Sequence, residues 1–231
     1  MNETWQKKSK DDIPLKEALA SMNTFREKAG YLWEYYRAYA LMIGIGLLVI
    51  GGVLSGILHH QTAYFSVEMV NVVRSYYDEK NLGNDLFAEY LKEQGLDPEK
   101  TKIEVSDNRD IKMDNQSIED ASTLQILTAE FSSGTFDLFA APEGVWSYYA
   151  PFGAVMDLRK VLPEDWLMAH QDQWYLVTME ETGEEIIGGI YPADDSRFAK
   201  AGYYITQVPM GIAIRCKEPE KIAGFIMWAA E

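Results

Sequence analysis

The polarity of the chain breaks once, and sharply. After Arg37 no Asp, Glu, Lys or Arg occurs until Glu68, and residues 38–58, AYALMIGIGLLVIGGVLSGIL, are almost wholly apolar. As a helix this run rises about 31 Å, which matches the hydrocarbon core of a bilayer; a helix buried in a soluble core would be shorter or polar on one side. The pattern predicts a single membrane span, with residues 38–60 as a transmembrane signal anchor. Ahead of it, Leu15, Leu19, Met22 and Trp33 recur among charged residues at roughly helical spacing. That spacing predicts an amphipathic segment lying at the inner interface, with Gly30 as a bend or break. Within the span Gly52 and Gly56 would let a second helix approach closely, although such pairs are common in a glycine-rich run.

Beyond the span the pattern changes to alternating strand and helix. Residues 63–73 are rich in β-branched and aromatic side chains, and residues 84–94 place Leu86, Phe87, Tyr90 and Leu91 at helical spacing. Residues 102–105 predict a short second strand. Residues 117–132 predict a second helix, capped by Ser117 or Asp120 and stopped by Gly134. Residues 136–140 predict a third strand. This order calls for an α/β domain with a mostly parallel sheet flanked by helices. The second half is less regular: short helices at 142–149 and 163–169, strands at 174–179, 185–191 and 207–216, the first two joined as a hairpin, and a closing helix at 219–230 begun by Pro219.

Charge then orients the chain. Arg26, Lys28 and Arg37 precede the span closely and only Arg74 follows it closely, so the amino end is expected in the cytoplasm and the carboxyl domain outside it. No small-x-small cleavage site follows at His59-His60-Gln61 and no Cys follows the span, which argues against a cleaved signal and a lipoprotein. The expected organisation is a cytoplasmic amphipathic segment (1–37), the span (38–60) and an extracytoplasmic α/β domain (61–231). That domain holds fourteen Lys/Arg against thirty Asp/Glu, net −16, which disfavours nucleic acid as a partner and keeps the domain off anionic headgroups. One Cys cannot form an internal disulfide or a Cys-based metal cage.

Residues 124–139, LQILTAEFSSGTFDLF, followed by Tyr149-Ala150-Pro151-Phe152-Gly153 and Met156-Asp157-Leu158, resemble the extracellular solute-binding proteins of ABC importers. In those proteins a helix leads through a glycine turn to an Asp-containing strand and on to a Gly and an Asp-Leu pair. Gly211-Ile212-Ala213-Ile214 and residues 219–225 are similar to the strand and helix by which such chains return to their first lobe. The resemblance implies one lobe of a periplasmic-binding-protein-like fold. The relatives clamp a ligand between two lobes, whereas residues 61–231 suffice for about one domain. The likeness therefore implies a one-lobed, membrane-anchored relative.

Signatures of catalysis are sparse. His59, His60 and His170 are the only histidines, and there is no Gly-x-Ser-x-Gly, His-Glu-x-x-His or phosphate loop. The acidic pairs at 180–181, 184–185 and 194–195 read as solvated loop charge. No enzymatic activity, cofactor or metal is expected. In open parallel sheets, ligands bind beyond the carboxyl ends of the strands. That rule selects Tyr76 and Tyr77 after the first strand, Asp107 and Asn108 after the second, and Glu143, Trp146 and Tyr149 after the third. Aromatic rings beside carboxylates and amides suit a sugar or another small solute. The expected function is a noncatalytic binding module, with an importer as a membrane-protein partner. The alternative is an interaction or assembly subunit of a membrane complex with no small-molecule ligand.

Overall fold

The computed structural model describes residues 24–58, 61–73, 84–114 and 117–231. The chain divides into two units, Met1–His60 and Gln61–Glu231. In the first, helix α1 (Phe25–Leu58) continues through Gly30 without a break. Its segment Tyr36–Ser55 is long and apolar enough to cross a membrane, and none of it is buried. Of the expected amphipathic stretch, which ends at Tyr36, residues 15–23 lie outside the described residues and residues 25–36 belong to α1.

The second unit is an α/β domain. Its elements run β1 (Thr62–Val70), α2 (Asn84–Glu93), β2 (Thr101–Arg109), α3 (Ile118–Ser133), β3 (Leu138–Ala140), α4 (Glu143–Tyr149), α5 (Glu164–Ala169), β4 (Trp174–Thr178), β5 (Glu185–Ile190), α6 (Arg197–Lys200), β6 (Met210–Ile212) and α7 (Pro219–Ala230). The strands form one sheet in the order β2-β1-β3-β6-β5-β4. Strand β1 is parallel to β2 and β3, but β6 is antiparallel to β3 and β5, and β4 is antiparallel to β5. The sheet is therefore mixed: it is parallel across β2, β1 and β3, as the sequence leads one to expect, and antiparallel across β6, β5 and β4. The reason is topological: helical crossovers join only the first three strands, while β4 and β5 form a hairpin and β6 returns against β3.

Local chemistry accounts for the regular parts. Helix α3 starts on a capping box in which the Ser117 hydroxyl accepts from the Asp120 N–H and the Asp120 carboxylate accepts from the Ser117 N–H at 2.7 Å. It ends on Gly134, whose φ of 69° is left-handed and whose N–H donates to the Glu130 carbonyl. Strand β3 is then tied to β1 by Asp137 Oδ2, which accepts from both the Ser66 N–H and the Ser66 hydroxyl at 3.0 Å. Side chains alternate across β1. Phe65, Val67 and Met69 enter a core layer with α2 and α7, and Val70 enters a second layer with α3 and α4.

The antiparallel strands β5 and β6 meet under Trp146. They share one register pair, Ile190 with Met210. The fully buried indole lies over that seam, its N–H donating to the Pro209 carbonyl at 2.9 Å. The ring fits because the strand positions next to it, 189 and 211, are glycines. A Cβ on Gly211 would sit 2.4 Å from the Gly188 carbonyl oxygen and 2.9 Å from Trp146 Cη2, and one on Gly189 3.3 Å from the same ring atom. Gly211→Ala is accordingly expected to lower stability by about 2–3 kcal/mol through overpacking, with Trp146→Ala costing about 3–5 kcal/mol. Urea midpoints of the detergent-solubilised chain measure both. An unchanged midpoint for Gly211→Ala would mean that the slot has slack.

Candidate functional site

The carboxyl ends of β1, β2 and β3 are the expected site, and the structure divides its residues. Tyr76 and Tyr77 lie outside the described residues. Asp107 and Asn108 belong to β2 and not to a loop after it, because β2 pairs with β1 as far as Val70 opposite Arg109. Asp107 is half-buried and Asn108 exposed. Glu143 opens α4 and accepts a hydrogen bond from the Tyr191 hydroxyl. Burial and that carboxylate both push the Tyr191 phenol up from its usual value.

Trp146 and Tyr149 face inward. Helix α4 turns back across the sheet and buries Val145, Trp146 and Tyr149 on one side. The Tyr149 hydroxyl donates to the Leu124 carbonyl of α3 at 2.7 Å. Both rings belong to the second core layer, with Phe139 between them at centroid distances of 5.3 and 6.4 Å. Trp146 presents no face to a solute, while Tyr149, though largely buried, forms part of the wall of a surface hollow beside Phe131, Tyr148 and Phe152.

The crevice between β1 and β3, where the strand order reverses, is filled by the chain itself. The Tyr204 hydroxyl donates to the Ala140 carbonyl at 3.0 Å, and the Val73 N–H donates to the Tyr203 carbonyl at 2.9 Å. Burial, with Glu68 and other nearby groups, raises the Tyr204 phenol well above its usual value, so it is a neutral plug. Asn71 stitches the same end. It adopts φ 61°, and its amide donates to the Ile111 carbonyl at 2.9 Å while accepting from the Ile111 N–H at 2.6 Å.

Beneath the plug lies a charge cluster that joins β1, β2 and α3. Glu68 is 2% exposed. Arg109 Nη1 stands 2.9 Å from Glu68 Oε1, in ion-pair range but off the direction of a hydrogen bond, and the guanidinium grips Glu130 with two nitrogens at 2.5 and 2.7 Å. Burial raises the Glu68 carboxyl to about 7, against the lowering effects of a Ser106 hydrogen bond and Arg109. Sequence reasoning missed this cluster, although a lone Glu inside the apolar run 67–70 was its visible trace.

Two hollows lie on the surface of the domain. One, of about 600 Å³, is walled by Phe131, Tyr148, Phe152 and Ile214 with Arg215 at its side. The other, of about 650 Å³, lies between α5 and the β4–β5 hairpin and is walled by Leu167, Met168, Trp174, Leu176 and Ile187. Asp157 braces the second. Its carboxylate is buried, yet it stays below the usual range because hydrogen bonds from Arg159 and the Ile187 N–H outweigh the burial. No group of three or more potential metal ligands occurs among the described residues.

Compared with family models, curated proteins and solved structures, the chain matches none. The class defined by the coordinates is an α/β domain on a six-stranded mixed sheet, preceded in sequence by one helix apolar enough to span a membrane.

The raised Glu68 carboxyl sets a pH dependence. Between the unfolded value of 4.5 and the folded value of about 7 the native state holds the extra proton, so stability falls as pH rises through that window and levels off above it. The loss is on the order of 3 kcal/mol. Glu68→Gln is expected to match the natural chain near pH 4.5 and to exceed it at pH 8 by about 1–3 kcal/mol. Urea unfolding of both chains at the two pH values tests this, and equal differences at both would remove Glu68 as the source.

Proposed function

We propose that the protein is a membrane-anchored, noncatalytic interaction module: α1 crosses the bilayer once, the amino end stays in the cytoplasm, and residues 61–231 engage a protein partner outside it. The anchor is supported by the exposed apolar length of Tyr36–Ser55, and the orientation by the cluster of Arg26, Lys28 and Arg37 on its amino side. The observation that carries the choice of a protein partner over a solute is the filled crevice. Tyr204 plugs the strand ends and Trp146 is spent in the core, while open apolar surface lies on the outer half of the sheet. Tethering confines the domain to the surface and raises its effective concentration near other membrane proteins.

A second reading, a solute-binding lobe serving an importer, draws support from the course of the chain. Strand β6 returns beside β3 and α7 closes the first core layer, and the resemblance to solute-binding proteins implies a strand and a helix that return to the first lobe.

Membranes carrying the full chain should retain it through alkaline carbonate washing, and protease added outside intact cells should remove residues 61–231 and leave the amino end. Release by carbonate would sink the anchor. Across a library of sugars, amino acids and peptides no solute is expected to raise the melting temperature. A solute that does so, and whose effect is lost in Asp107→Ala or Glu143→Ala, would replace the interaction reading with the solute-binding one.

A further inference from the structure

The groove between α5 and the β4–β5 hairpin has walls, an edge and a charge that together specify an occupant. Apolar side chains make up much of its walls, and of these Met168 on α5 is 56% and Leu176 on β4 48% exposed. These side chains leave apolar area in water that a partner's side chains would remove. Strand β4 is the last in the sheet and has β5 as its only strand neighbour among the described residues. A polypeptide laid beside it gains main-chain hydrogen bonds as well as the apolar trough, which a small solute does not.

The charge of the rim decides the partner's chemistry. Arg159 is the one cation lining the groove, and it is already engaged. Its guanidinium lies 2.7 Å from Asp157 Oδ2, donates to the Glu185 carbonyl at 2.9 Å and faces Glu184 at 3.6 Å. The carboxylates of Glu164 and Glu185 line the same groove, on a domain whose net charge is −16. An incoming segment therefore meets apolar walls under a negative potential. We propose that this groove binds an extended, lysine- or arginine-bearing segment of another protein, apolar on the side that faces the trough. The proposal rests on the interaction-module reading and specifies its partner.

The test uses the full-length chain in neutral detergent micelles and a fluorescent peptide of alternating Leu and Lys carrying one benzophenone, with the Leu-Glu peptide and protein-free micelles as controls. The Leu-Lys peptide should bind above the micelle background and crosslink to α5 or to β4. Leu176→Arg should raise its Kd at least about tenfold. The pair Glu164→Lys and Glu185→Lys should weaken binding about tenfold at low salt and flatten its salt dependence. Circular dichroism and the urea midpoint of each variant must match the natural chain. Where Leu176→Arg fails this, Met168→Arg, on the other wall, takes its place.

Four results overturn the site: no Leu-Lys binding above the micelle background, crosslinks only elsewhere, equal binding of the Leu-Glu peptide, or groove variants that abolish self-association of the chain, which would make a second copy the occupant. These failures leave the interaction-module reading standing. That reading falls on its own tests, to carbonate release of the chain or to a stabilising solute.

Discussion

The outer domain depends on a flat indole lying against two strand positions that are glycines, 189 and 211. Trp146 covers the seam between the antiparallel strands β5 and β6, where one register pair is all the ladder supplies. The indole adds a hydrogen bond to Pro209, an edge contact with Tyr175 at 5.5 Å and a tilted contact with Phe139 at 5.3 Å. It thus couples β3, β4 and the approach to β6 in one contact set. Glycine at 189 and 211 is what permits it, since a methyl group at either position would enter the ring's space.

That arrangement has a functional consequence. An aromatic ring that holds the core together is withdrawn from recognition, so Trp146 is not available at the surface. The strand-end crevice is further closed by Tyr204, and below it Arg109 is hydrogen-bonded to Glu130 and lies within ion-pair range of Glu68. Apolar surface remains open at the hairpin end of the sheet, between the short α5 and strands β4 and β5.

Electrostatics divide in the same way. The buried Glu68 works against folding as it ionises, whereas the buried Asp157 is stabilised as an anion by Arg159 and a backbone N–H. Both are carboxylates in largely apolar surroundings. The difference is the number of donors aimed at each, and it leaves the region near the strand ends sensitive to pH while the wall of the groove is fixed.

What could be read from the chain alone was local. The apolar run fixes α1, Ser117 with Asp120 and Gly134 fixes α3, Pro219 opens α7, and the turn at Thr182-Gly183 sets the hairpin, because each signal acts between residues a few positions apart. Strand β6 is shorter than the apolar stretch 207–216 implied, since pairing with β3 and not composition limits it. The mixed direction of the sheet, the inward turn of Trp146 and Tyr149 and the plug at Tyr204 were decided only in three dimensions. Their partners lie far along the chain: Trp146 needs Pro209, Tyr204 needs Ala140, Glu68 needs Arg109. A sequence lists such residues without showing which will meet, and burial takes its meaning from that meeting.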